Sequence, residues 1–278
     1  MAQKAKNRYL WGMADAGKKP SNMMQRVITA AIGIPIVLAV LNATSPLPLL
    51  VLAGLLAIVG LREYYSITSC PDWLVGLLVA IFMAPLIFMN LELRLAAAFF
   101  VLGVFGLALA SPMRRAVGAL GIYWLVAPLL TLVILHESSP GPQSALFAAN
   151  WVMMAVVPLW AGDTAAIFAG RAFGKTPLAP KLSPKKTVEG AIANLLACIG
   201  ASFALMPLFP IAWWQAGACG LVTGILGQVG DLAESGLKRR FEVKDSGSIL
   251  PGHGGVLDRI DSILFTAVPV ALILLGRA

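Results

Sequence analysis

Charge is scarce in this chain. Asp, Glu, Lys and Arg make up 12% of its 278 residues, where soluble globular domains carry roughly 25%. With a mean hydropathy of +0.84, that deficit excludes an ordinary soluble domain. Histidine is scarcer still, at two residues, and cysteine stands at three. Cys70, Cys198 and Cys219 are odd in number and far apart, so neither a disulfide framework nor a zinc site is indicated; they read as small packing residues. No series of ten-residue segments alternates apolar and polar, which removes an outer-membrane barrel. There is no repeat of fixed period and no low-complexity tract. A basic soluble domain with interleaved aromatic platforms is missing too, so the net charge of +8 is not a nucleic-acid footprint.

What the chain has in plenty is apolar runs. About 20 such residues in a helix cross the hydrocarbon core of a bilayer. Reading for them predicts an all-α polytopic membrane protein of about nine transmembrane helices, near 27–43, 46–61, 73–89, 94–110, 117–135, 147–169, 190–207, 212–230 and 260–276. Pro35, Pro128, Pro158 and Pro269 fall within these spans, where neighbouring helices can satisfy the freed carbonyls. With the N-terminus in the cytoplasm and the C-terminus outside, 19 of the 21 Lys and Arg residues face inward, all but Arg94 and Arg277. That bias orients the chain. Residues 1–25 read as a cytoplasmic tail and not as a cleaved signal peptide, because no small-residue cleavage site follows the first apolar run. Residues 26–145 read as N-terminal transmembrane helices, and 146–278 as the C-terminal region that carries chemistry.

Polar residues concentrate in two predicted cytoplasmic loops of that region. Asp231 to Asp261 holds 11 of the 34 charged groups, together with His253 in a Gly-His-Gly-Gly turn. The other loop runs from Asp163, inside an apolar span, to Gly190. On a helix Asp231, Glu234, Ser235 and Lys238 share one face, and so do Asp258 and Asp261. Charges held beside hydrocarbon are costly and point to function. Hard carboxylate oxygens suit Mg²⁺, which is held by one or two carboxylates plus substrate phosphates. Lys181, Lys185, Lys186, Lys238, Arg239, Lys244 and Arg259 supply cations for phosphate oxygens, and the amides of Gly252, Gly254 and Gly255 an anion-binding nest. Such a set fits phosphoryl or nucleotidyl transfer, where catalysis is mostly positioning and charge neutralisation. Bland roles are expected elsewhere. Arg240 reads as topogenic, Glu242 as a solvated charge and His136 as an outer-loop residue. Arg62-Glu63 and Arg114-Arg115 read as boundary charges. Gly170 to Thr176 looks like a Walker A loop but has one residue too few between its glycines and follows a membrane span.

The run S-G-L-K-R-R-F-E-V-K-D-S-G-S-I-L-P-G-H-G-G-V-L-D-R-I-D, Ser235 to Asp261, resembles the C-terminal motif of the phosphatidate cytidylyltransferase (CDP-diacylglycerol synthase) family. The upstream G-D-T-A-A…G-R…F-G-K…L-A-P-K-L-S-P-K-K-T-V-E-G is similar to that family's other loop. The likeness covers about residues 160–262; the N-terminal half matches only as a string of hydrophobic helices. It implies a homodimeric enzyme of the bacterial inner membrane with its active site on the cytoplasmic side. The substrates would be CTP and phosphatidate, and the cofactor Mg²⁺, with a second cation left open. By position, Asp231 and Asp258 match the family's metal-binding aspartates and, with Lys238 and Lys185, form the expected catalytic set. Asp163, Lys181, Ser183, Lys186, Thr187, Glu189, Ser235, Arg239, Lys244, Asp245, His253, Gly254, Gly255, Arg259 and Asp261 match substrate-site positions.

Two other functions use similar parts. A CTP-dependent polyprenol or lipid kinase would transfer the γ-phosphate. A transporter would use Asp163 and Asp231 on an ion path, but transporters show paired, repeated halves, and here the polar residues have no counterpart in the N-terminal half.

Overall fold

A computed structural model describes residues 22–68, 113–139, 150–249 and 254–276. Its helices are α1 (Asn22–Leu41), α2 (Leu47–Thr68), α3 (Met113–Glu137), α4 (Trp151–Phe173), α5 (Val188–Leu205), α6 (Trp213–Arg240) and α7 (Leu257–Leu275). Each coincides with one of the predicted spans; those near 73–89 and 94–110 lie outside the described residues. By length and composition α2, α4, α5 with the 3-10 turn that extends it to Leu208, and α6 are able to cross a membrane. The apolar parts of α1 and α3, Ala31–Leu41 and Gly121–Glu137, are shorter. In α7 the charged residues Asp258, Arg259 and Asp261 occupy the first turns, so uninterrupted apolar sequence begins only after them. The protein is a helical membrane protein.

One element among the described residues departs from the all-helical expectation. Pro177–Ala179 (β1) and Ser183–Thr187 (β2) form an antiparallel hairpin, with Pro177 opposite Thr187 and Ala179 opposite Ser183. Pro177, Pro180 and Pro184 bar a helix here, and a two-stranded ribbon tolerates proline because each strand has a free edge. The hairpin delivers the chain to α5, whose N-cap is Thr187.

Helices α4, α5, α6 and α7 pack in succession, and α2 and α3 pair with each other and lean on α7. The α5–α6 contact depends on small residues. A Cβ on Gly220 would lie 2.5 Å from Ile199 Cα, and one on Gly224 2.9 Å from Leu195 Cα. Close backbone approach through glycine is the usual way helices associate in lipid, where hydrophobicity alone gives no preference for protein over solvent. Toward α7 the contacts are aromatic. Tyr64 of α2 meets Trp124 of α3 edge-on at 6.0 Å, and Trp124 meets Phe265 of α7 at 5.9 Å. Pairs of this geometry add about 0.5–1.5 kcal/mol each beyond the area they bury. Cys198 and Cys219 are fully buried free thiols in this bundle, as packing residues should be. His136 corrects an expectation: it is not a solvated loop residue but is buried in the last turn of α3, against the backbone at Leu41 and Ala43.

Candidate active site

A polar cleft of about 670 Å³ opens between α4, the hairpin, α5, α6 and the first turn of α7. Its walls carry four cations, Arg171, Lys185, Lys186 and Arg259, and two carboxylates, Asp163 and Asp231. The surplus of positive charge favours an anionic occupant. Thr187 strengthens it: its hydroxyl accepts from Gly190 N at 3.2 Å and caps α5. Thr187, Gly190 and Ala191 all line the cleft, so the positive end of the α5 dipole and its first amides border the space. Across it Lys186 Nζ lies 2.5 Å from Asp231 Oδ2.

The base of the cleft is a row of amides. Asn194 donates to Asp163 Oδ1 at 3.3 Å, and Gln228 donates to Asn194 Oδ1 at 3.3 Å, to Ala191 O at 3.1 Å and to Gly224 O at 2.7 Å. Asp163 is thereby oriented from α5, and α5 is tied to α6 beneath it.

A second polar cluster lies where α6 meets the start of α7. Lys238 is buried between two carboxylates, 2.6 Å from Glu234 Oε2 and 2.5 Å from Asp258 Oδ1. The other Asp258 oxygen accepts from the amides of Ser246 at 3.0 Å and Gly255 at 2.9 Å. Burial pushes the Asp258 carboxyl up, but these hydrogen bonds from Lys238 and the two amides outweigh it and hold the group below the usual carboxylate range. Gly254 has φ 83°, and a Cβ there would meet Asp258 Oδ2 at 2.7 Å, so both conformation and space call for glycine.

The predicted site residues thus separate. Asp163, Lys185, Lys186, Thr187, Asp231 and Arg259 border the cleft. Lys238, Asp258, Gly254 and Gly255 belong to the buried cluster. Ser235 Oγ reaches Asp231 Oδ1 at 3.5 Å, but Glu234 and Lys238 turn to α7, so the single face expected for α6 divides into two. Asp261 is buried; it accepts from Ser262 N at 2.6 Å, and its backbone carbonyl packs over Gly230. Glu189 accepts the Thr176 amide with both oxygens, at 3.2 and 3.3 Å. Arg239 donates to Val243 O at 3.2 Å. Ser183 pairs in the hairpin, and Lys181, Lys244 and Asp245 are exposed. His253 lies outside the described residues.

Several residues enter that sequence reading passed over. Arg171 was legible only as a topogenic base, and Asn194 and Gln228 are neutral residues within apolar spans. Glu63 corrects an expectation. It is no boundary charge: its carboxylate is buried, 4% exposed, and bonded to the chain just before α7.

Residues 24–276 of the chain match the cytidylyltransferase family. Among curated proteins, the phosphatidate cytidylyltransferase of Bacillus subtilis (strain 168) is 46% identical over 124 residues, 43% of this chain and 45% of that protein. That of Staphylococcus saprophyticus subsp. saprophyticus is 44% identical over 128 residues, 45% of this chain and 49% of that protein. That of Brucella suis biovar 1 (strain 1330) is 38% identical over 150 residues, 54% and 53% of the two chains. The chain spans about half the length of the curated relatives it matches.

Proposed function

The chain belongs to the cytidylyltransferase family, and we propose that it is a phosphatidate cytidylyltransferase, converting CTP and phosphatidate into CDP-diacylglycerol and pyrophosphate. The observation that carries this reading is the cleft itself: a space with four cations against two carboxylates, set among helices long enough to span a bilayer. A soluble nucleotide and a lipid phosphate can meet only at such a boundary. The reading extends to nine spans with the N-terminus inside, an active site at the cytoplasmic face of the bacterial inner membrane, and a homodimer testable by crosslinking in the membrane.

The reaction joins two anions. A phosphate oxygen of phosphatidate attacks the α-phosphorus of CTP, the bond from that phosphorus to the bridging oxygen breaks, and pyrophosphate departs with the electron pair. The nucleophile is already ionised near neutral pH, so no strong base is needed. The residues of the chain hold the partners together and offset their repulsion. Lys185, Arg171 and the first turn of α5 bind the nucleotide phosphates, and Arg259 and Lys186 the lipid phosphate or the leaving group.

Among the described residues no three His, Cys, Asp or Glu side chains gather closely enough to hold a metal unaided. A Mg²⁺ shared with substrate phosphates needs only one or two carboxylates, and the donors fit that description. Asp231 is partly open to the cleft, and Lys186 is bound to one of its oxygens. Asp258 is buried outside the cleft with both oxygens bonded to Lys238, Ser246 N and Gly255 N, so among these two aspartates Asp231 is the one placed to hold the ion. When bound, Mg²⁺ supplies further neutralisation of the phosphates. The test is product analysis of purified protein with Mg²⁺, phosphatidate and CTP labelled at the α-phosphate. Liponucleotide and pyrophosphate should appear in equal amounts, and diacylglycerol should not replace phosphatidate. Release of CDP would instead indicate the kinase reaction.

A further inference from the structure

Glu63 lies on α2, in the half of the chain that sequence reading left without chemistry. Its carboxylate makes three hydrogen bonds, each to the segment around the start of α7. Oε1 accepts from Val256 N at 3.0 Å, and Oε2 accepts from Leu257 N at 2.9 Å and from Ser246 Oγ at 3.0 Å. The first two occupy amides that begin α7, where a carboxylate also meets the positive end of the helix dipole. The third continues into the buried cluster. Ser246 Oγ, which donates to Glu63, accepts from Asp258 N at 3.3 Å, and Ser246 N donates to Asp258 Oδ2. A continuous chain of bonds therefore runs from Glu63 through Ser246 to Asp258, and on to Lys238 and Glu234.

The backbone around Glu63 is shaped to admit it. A Cβ on Gly247 would collide with Glu63 Oε1. One on Gly255 would collide with Ser246 Oγ and lie 2.6 Å from Glu63 Oε2. Two glycines of the loop thus make room for one carboxylate from a distant helix. A buried charge of this kind is costly unless every oxygen is bonded, and here both are. Nothing in helix packing alone requires an acid at this position, since the neighbouring Leu61, Tyr64 and Tyr65 are buried apolar contacts.

We propose that Glu63 is a positioning residue for the proposed reaction: it ties Ser246 to the start of α7 from outside, and through Ser246 sets the orientation of Asp258. This role rests on the reading of the chain as a phosphatidate cytidylyltransferase, but the geometry it invokes is present without substrate. Glu63→Gln is the informative change, because an amide keeps the size and offers one acceptor oxygen where two are used. Its NH₂ would face either the Val256 or the Leu257 N–H, donor against donor.

The experiment compares wild type, Glu63→Gln, Ser246→Ala and the double variant, purified in detergent. It reads melting temperature, kcat and KM for CTP per folded protein, and hydrogen–deuterium exchange of the ligand-free amides in 244–258. Glu63→Gln should lower kcat about tenfold or more, leave KM for CTP within about twofold, and speed exchange in 244–258 while α4 and α5 stay protected. The double variant should be no more than about twofold slower than Glu63→Gln, because both changes cut one chain of bonds. Should Glu63→Gln fail to fold, Ser246→Ala decides, since it leaves the Glu63 bonds to Val256 N and Leu257 N in place. A kcat lowered severalfold at near-normal melting temperature supports the proposal, and wild-type kcat overturns it. Unchanged exchange in 244–258, or wild-type kcat in folded Glu63→Gln, overturns it as well. A wild-type protein that makes no liponucleotide sinks the functional reading, and the exchange data then still decide whether Glu63 holds the segment.

Discussion

Lys186 of β2 and Asp231 of α6 form an ion pair across the mouth of the cleft, 2.5 Å from Nζ to Oδ2. Both side chains are partly exposed, at 28% and 37%. An open pair of this kind adds little to stability, about 0–1 kcal/mol at most. Its members are therefore free to exchange partners when a phosphate or a cation enters, which is what separates them from the buried Lys238 cluster.

Asp231→Asn should abolish turnover and leave the melting temperature within a few degrees of wild type. The carboxylate is open to the cleft and makes no buried bond that folding depends on. Turnover near the wild-type rate at saturating Mg²⁺ would show that Asp231 does not act on the phosphates or their cation.

Asp258→Asn should behave differently. It removes a buried charge that balances Lys238 and leaves an NH₂ facing either that ammonium or two amides. Breaking such a pair from one side costs on the order of 3–5 kcal/mol, so thermal stability should fall along with activity. The pH dependence carries the same signature. Because the folded carboxyl is held below its usual range, its stabilising contribution is complete above the ordinary carboxylate pKa and is lost as pH falls through the lowered value. Thermal melts from neutral to acid pH should show a decline in wild type that is smaller in Asp258→Asn.

Lys238→Met alone should expose the same balance from the other side, leaving Glu234 and Asp258 buried without their cation. Lys238→Met with Glu234→Gln should recover part of the lost melting temperature. If the single and double variants melt alike, Glu234 imposes no cost when its cation is gone.

Arg171→Ala and Lys185→Ala should each reduce kcat/KM for CTP by about a hundredfold, on the order of 3 kcal/mol for a cation that offsets phosphate charge. Arg240→Ala, at the exposed end of α6, should stay within about twofold. Steady-state kinetics on the folded variants would check the contrast, and equal effects at all three positions would remove the cleft as the phosphate site.

Topology can be read by labelling single cysteines in a background without the native ones. Glu242→Cys, exposed after α6, should react with an impermeant reagent only from the cytoplasmic side, and Gly276→Cys, exposed after α7, only from outside. The reverse pattern would place the cleft on the wrong side of the membrane for CTP.

The class, the positions of the seven described helices and the two stretches from which the site is drawn were all legible in the linear order of residues. Hydropathy and spans of membrane length are properties of composition along the chain, so they need no tertiary knowledge. Charge scarcity also made the polar stretches conspicuous, and Asp163, Lys185, Lys186, Asp231 and Arg259 were legible because each stands out against an apolar background. The partners were set by packing. Whether Lys238 meets a phosphate or two carboxylates depends on how α7 crosses α6, which no spacing within α6 reveals. Asn194 and Gln228 are polar residues inside apolar helices, and only packing shows that they bond to each other and to Asp163. Glu63 is the clearest case. It is separated from Val256 by 193 positions, and an acid at the end of an apolar run looks the same in sequence whether it meets water or caps a distant helix. The difference is made by α2 lying against the start of α7, where buried amides supply the bonds that water would otherwise give.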